Sequence, residues 1–271
     1  MDKKPRQHSI CEKKPYIAVI LSMIIPTVLA GIVGYIGDAV SENAGNIALC
    51  ILAIILMLIF WRWFSPEFKG FVKPEAPARD ICILMIPLGI LLVLTLIEPL
   101  LFFHSFYFDP SLKAVIMGIT AGLAEETMFR IFSLAIVMRY VRRERRFAAM
   151  IILAVIFGLS HAGNLTQGAD LVMTASQVFH STFMAFLLSA LYLGTGSAVF
   201  PVLAHGLYDF ICFTTDPSLS GNGILTQQYG TGRLLYEFIA VVIIGIIALC
   251  LIGKNRLFIA NEIWAKKWSE E

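Results

Sequence analysis

The stretch AGLAEETMFR places Glu125, Glu126 and Arg130 inside a long apolar run. An ionised side chain at the centre of a bilayer costs roughly 2.5–3.5 kcal/mol on insertion scales, so such a cluster needs a structural or chemical reason. Glu126 and Arg130 stand one helical turn apart and can pair on one face. That pair could be purely architectural, locking one helix against a neighbour. Glu125 points about 100° away from Glu126 on a helix and is the carboxylate left for other work. Farther along, FGLSH sets His161 one turn after Phe157, and FPVLAHGLYDF sets His205 one turn before Asp209. A lone histidine in a helix is usually a hydrogen-bonded packing residue, and a histidine–carboxylate pair can be a polar staple between helices. Brought together, the same groups can do more. A carboxylate and an imidazole converging on one point can hold and deprotonate a water. A second imidazole with a hydrogen-bonding partner can stabilise an oxyanion. That is a hydrolase constellation, with an amide bond as a natural target.

The elements that must position these residues are membrane helices. The chain has 271 residues, 58% hydrophobic and 15% charged, too little charge for the surface of a soluble protein of this size. Runs of about 20 apolar residues are long enough to cross a bilayer. Eight are expected: Tyr16–Ile36, Gly45–Trp63, Ile81–Phe103, Leu112–Met138, Phe147–His161, Leu171–Leu193, Ala198–Phe213 and Leu234–Ile252. The first is too long for a cleaved signal peptide and reads as a retained helix. The fold class is all-α: a polytopic membrane protein with a polar intramembrane chamber. Residues 1–271 form a single domain with the catalytic core at about 112–213, a basic cytoplasmic tail at 1–15 and a second cytoplasmic tail at 254–271.

Basic residues gather in alternate connections. They lie in the first tail (Lys3, Lys4, Arg6, Lys13, Lys14), between spans two and three (Arg62, Lys69, Lys73, Arg79), in RYVRRERR after span four, and after span eight (Lys254, Arg256, Lys266, Lys267). The positive-inside rule then puts both termini in the cytoplasm. RYVRRERR itself reads as a headgroup anchor. A net charge of +2 gives no indication of nucleic-acid binding. The five cysteines show no CxxC spacing, so neither a disulfide framework nor a zinc ribbon is expected.

Depth connects the polar residues. Counting 1.5 Å per residue from the cytoplasmic ends, Glu125 lies ~20 Å inward, His161 ~21 Å, His205 ~11 Å and Asp209 ~17 Å. These depths are compatible with one chamber. Glu98, His180 and Glu237 are left out of it: Glu98 near the outer interface, His180 beside Gln177 as a residue that could support the site but is more often packing, Glu237 at the outer surface. His8 and His104 fall in a tail and a loop. A serine nucleophile is disfavoured, because Ser160 points about 100° from His161 and no GxSxG turn occurs. HExxH is absent as well. Glu125, His161 and His205 could still ligate a divalent metal such as zinc, so the water's activator stays open.

At this point the residues resemble a known family. EETMFR matches EExxxR, FGLSH matches FxxxH and HGLYD matches HxxxN/D, in the order found in the CAAX-protease and bacteriocin-processing enzymes related to type II CAAX prenyl endopeptidases. The resemblance implies an intramembrane endopeptidase, often classed as a metalloendopeptidase, with Glu125 and His161 activating the water. His205 and position 209 would support the oxyanion, and Glu126 with Arg130 would organise the site. A metal-independent glutamate mechanism is favoured over a metal. Two departures stand out. Asp209 occupies a position that is Asn in the eukaryotic prenyl-processing members; an ionised Asp only accepts, so it would orient His205 instead. Ile131 stands where a glycine often follows the motif arginine. The expected partners are membrane lipid and a peptide or protein substrate, possibly lipid-modified, and the expected location is a bacterial plasma membrane. Two other function classes use the same residues: a non-catalytic immunity or binding protein, and a proton-coupled transporter. The transporter ranks last, since no inverted repeat is visible.

Overall fold

The structure is a computed structural model that describes residues 10–64, 67–219, 227–252 and 254–269; Lys3, Lys4, Arg6 and His8 lie outside them. Every regular element among the described residues is helical. A short helix α1 (Ile10–Lys13) leads into α2 (Pro15–Asp38) and α3 (Glu42–Ile59), which runs on into a π-helical turn at Phe60–Phe64. Helix α4 spans Ala78–Phe102 and α5 spans Leu112–Thr120. Two π-helical turns, Ala121–Glu125 and Thr127–Ile131, then join α5 to α6 (Phe132–Tyr140). Next come α7 (Arg143–Ser160) with a 3-10 extension at His161–Gln167, α8 (Leu171–Thr195), α9 (Val199–Thr215), α10 (Thr231–Leu251) and α11 (Lys254–Lys267).

Six helices are long and apolar enough to cross a membrane, and Val199–Thr215 is a shorter apolar one. The remaining expected span, Leu112–Met138, is helical throughout, ending at Tyr140, but divided by its π turns. Start signals are local: Ser111 accepts a hydrogen bond from the Ala114 amide, and Asp170 from those of Val172 and Met173.

Two expectations are corrected. RYVRRERR is not a loop. Only Val141 and Arg142 interrupt the helices, and α7 begins at Arg143 rather than Phe147 because the basic side chains stay in solvent while the backbone coils. Arg142, Arg143 and Arg145 are exposed, but Arg146 is buried and donates to the Val141 carbonyl. The segment from 254 is not a free tail either. Helix α11 packs against the bundle, with Trp264 buried and donating to the Leu193 carbonyl, and Lys267 donating to the Lys73 carbonyl.

The two ends of the bundle differ. Toward the basic connections the interior is solid: Ile131, Leu134, Ala135, Met150, Leu188 and Leu191 are fully buried. Above them Phe60, Phe68, Phe71, Phe132, Trp264 and Trp268 form an aromatic cluster. The α8–α9 joint is tucked beneath that cover, with Ser197 donating to the Val72 carbonyl and Gly196, at φ +68°, closing α8. Helix α9 therefore starts well inside the bundle. This is why counting residues from its first turn placed His205 too shallow.

Helix α9 crosses the α5–π segment at backbone contact. A Cβ added at Gly122 would lie 2.3 Å from the Val202 carbonyl oxygen, and one at Gly206 would lie 2.8 Å from that of Gly118. The crossing is what presents α9 to Glu125 and Glu126. Gly122→Ala should force the helices apart and cost about 1–3 kcal/mol, read as a lowered thermal midpoint in detergent. Gly163→Ala, which meets open space, should leave the midpoint unchanged.

Candidate active site

The π-turn segment carries both acids. π turns insert an extra residue into a helix and occur often at functional sites. Here one falls on each side of Glu126. Glu126 is completely buried, whereas the Glu125 side chain is 34% exposed, so the adjacent acids occupy different environments. The exposed part of Glu125 faces a cavity of about 450 Å³ that is also lined by His161, His205 and Asp209.

Glu126 is the hub. Its Oε1 accepts from the Arg130 guanidinium, one turn along the same segment, and from Nδ1 of His205 on α9 at 2.8 Å. Since Nδ1 faces a carboxylate, that nitrogen carries the proton. The other ring nitrogen, Nε2, looks into the cavity, 4.0 Å from Glu125 Oε2 and 3.9 Å from Asp209 Oδ2. Both distances exceed a direct hydrogen bond and are of the length that a bridging water spans. Glu126, from another helix, thus holds Nδ1 of His205, while Asp209, the partner expected from the sequence, faces the other ring nitrogen. The i, i+4 step brings Asp209 to the far nitrogen but not into bonding distance.

Phe157 and His161 come from the end of α7. The Phe157 ring stacks under the Arg130 guanidinium, 4.1 Å away, and meets His161 and His205 edge to face. It separates the buried ion pair from the cavity while adding a cation–π contact. His161 directs Nδ1 to the Phe157 carbonyl at 3.1 Å, which accepts only, so Nδ1 bears the proton and Nε2 is the basic nitrogen. That nitrogen faces Ser181 Oγ at 3.4 Å.

Several lining residues escaped the sequence reading. His180, set aside as packing, lines the cavity and pairs its Nε2 with the Tyr208 hydroxyl at 2.8 Å, the two rings stacked. A tyrosine inside a bundle needs a partner for its hydroxyl, and a mid-helix histidine is one; that was the available signal. Asn164 donates to Gln177 across the α7–α8 connection. At the cavity's rim Arg233 bonds Glu98, Asp216 (2.5 Å) and Glu237 (3.3 Å), with Tyr229 stacked 3.4 Å away. Glu98 and Glu237, expected at the outer end of their helices, are both held there by Arg233. Burial raises the Asp216 carboxyl, but hydrogen bonds from Ser218, Arg233 and Tyr229 outweigh it and hold the group below its usual range.

Glu125, His161 and His205 were the set weighed for a metal. Among the described residues no three His, Cys, Asp or Glu side chains gather into a group that could hold a metal ion. Both histidines commit Nδ1 to protein acceptors, which leaves Nε2 of each as the free ring nitrogen at the cavity.

The hub predicts a stability signature. Arg130→Met leaves Glu126 buried without its cation, a loss of about 3–5 kcal/mol for one broken partner of a buried pair. The double variant Glu126→Gln/Arg130→Met should recover much of that loss. Thermal unfolding of the purified protein in detergent, or its failure to accumulate for the single variant, reads the difference.

Residues 106–211 match the family model described as type II CAAX prenyl endopeptidase Rce1-like. No curated protein and no solved structure matches the chain. The matched segment holds the cavity's acids and histidines from Glu125 to Asp209, together with the helix crossing that brings them together. Over that segment the chain is similar to the type II CAAX prenyl endopeptidases, a family of membrane proteases.

Proposed function

We propose that this protein is an intramembrane endopeptidase that hydrolyses a peptide bond with a water activated by Glu125 and His161. The observation that carries the proposal is the convergence of Glu125, His161, His205 and Asp209, from three separate helical segments, on one cavity within the bundle. Isolated packing residues would have no reason to share it.

The roles follow from the geometry. Nε2 of His161 accepts a hydrogen from the water and aims it, and Glu125 takes the second proton as the oxygen attacks the carbonyl carbon. His205 has a carboxylate facing each ring nitrogen, so the doubly protonated ring finds an acceptor on both sides. Its Nε2–H is the donor for the tetrahedral oxyanion, and Asp209 keeps it aligned. Glu125 then returns the proton to the leaving amine. Glu126 and Arg130 hold His205 in register, and Phe157 excludes water from the buried pair. This route has no metal step. The protein acts as a multi-pass membrane protein with both termini in the cytoplasm, and its substrate is a peptide or protein segment in or at the lipid.

Glu125→Gln should lower cleavage by at least about 100-fold, the smallest usual contribution of a positioned general base, with the thermal midpoint unchanged. It is checked by comparing the peptides of membranes that carry wild-type or variant protein. Unaltered function of the variant in cells would favour an immunity or binding role and sink the enzymatic reading. Cleavage by purified protein should also survive a strong zinc chelator; inhibition reversed by added zinc would refute the metal-free route.

A further inference from the structure

The cavity is not centred in the bundle. Every described residue that lines it comes from the half of the molecule remote from the basic connections; the described residues among 60–77, 132–156, 185–204 and 241–269 contribute none. Its rim is formed by Glu98 near the end of α4, Asn164 after α7, Gln177 early in α8, Asp216 after α9 and Arg233 at the start of α10. At 1.5 Å per residue Glu98 lies ~30 Å along α4 from its basic-end residue Ala78, and Arg233 ~27 Å along α10 from Leu251. The hydrocarbon core of a bilayer is about 30 Å thick. The rim therefore sits at the membrane surface opposite the basic connections.

The other end is closed. Between the cavity floor and the basic surface lie the fully buried residues of α6, α7 and α8, and above them the Phe68, Phe71, Trp264 and Trp268 cluster beneath α11. Cationic connections mark the cytoplasmic face. Arg142, Arg143 and Arg145 are exposed there, whereas the rim carries three acids to one arginine: Glu98, Asp216 and Glu237 against Arg233.

From this asymmetry we infer that the chamber opens to the extracytoplasmic side, and that its substrates are polypeptide segments reaching it from that side: exported chains or the outer portions of membrane proteins. The opening is independent of the hydrolytic reading; only the word substrate rests on it. Cytosolic proteins, including those lipid-modified in the cytosol, have no path to Glu125 past the solid half of the bundle.

The test separates the two parts. In the full chain with its five cysteines replaced by serine, single cysteines are placed at the rim (Asn164→Cys, and separately Ser176→Cys) and on the basic face (Arg142→Cys). A membrane-impermeant maleimide should modify both rim cysteines in intact cells and Arg142→Cys only in inverted membrane vesicles. Rim labelling confined to inverted vesicles, labelling of rim and basic face from the same side, or no rim labelling from either side would overturn the inference. This readout needs no turnover, so an inactive protein leaves it intact. The polypeptides that accumulate uncleaved in Glu125→Gln cells should then be accessible to protease added outside; accumulation of cytosolic polypeptides alone would also overturn it.

Discussion

The structure depends on a carboxylate that has been taken fully out of solvent. Glu126 is buried between Arg130 on its own segment and His205 on α9, and all three sit where lipid or protein excludes water. In such a medium an unpaired charge is very costly, and the attraction between partners is correspondingly strong. The pair thus dictates more than its own geometry. It requires α9 to lie against the π-turn segment, and the backbone contact at Gly122 and Gly206 makes that possible. It sets the ring of His205, and it requires a lid over Arg130, which Phe157 supplies. Once Glu126 is committed, the adjacent Glu125 is the acid left facing the cavity.

Around this hub the bundle divides into a solid half and a hollow half. Large apolar side chains and an aromatic cap fill the first, with α11 folded over its end. The second is bounded by polar pairs, each satisfied by a partner on another helix: His180 with Tyr208, Asn164 with Gln177, Arg233 with its acids. Such pairing is how polar lining is held open in an apolar bundle without leaving groups stranded. It also gives the cavity rigid walls, and a hydrolytic centre needs its groups held in place before substrate arrives.

How much of this was legible depended on sequence distance. The Glu126–Arg130 pair could be read because both partners lie on one helical turn, and the spans because apolar length alone identifies them. The separation of Glu125 from Glu126 followed from helical geometry. Depth counting found the right set of chamber residues but misjudged His205, since nothing in the α8–α9 joint signals that it is buried beneath Phe71 and α11. The His205–Glu126 bond was missed because its partners lie on different helices, and the nearer acid, Asp209, drew the assignment instead. Helix α11 looked like a tail because Lys254, Arg256, Lys266 and Lys267 dominate it, although Trp264 and Trp268 were there to be buried. The Arg233 cluster went unread because it needed three separate helix ends to be brought together.

The central claim is that a water in the chamber attacks the peptide bond directly, with no protein atom becoming acylated. Its most direct test is rapid-quench intact-mass measurement during cleavage of a membrane peptide in oxygen-18 water. The account predicts one heavy oxygen in the newly formed carboxylate and an unchanged protein mass at every time point. A transient protein species heavier by the acyl fragment would contradict it.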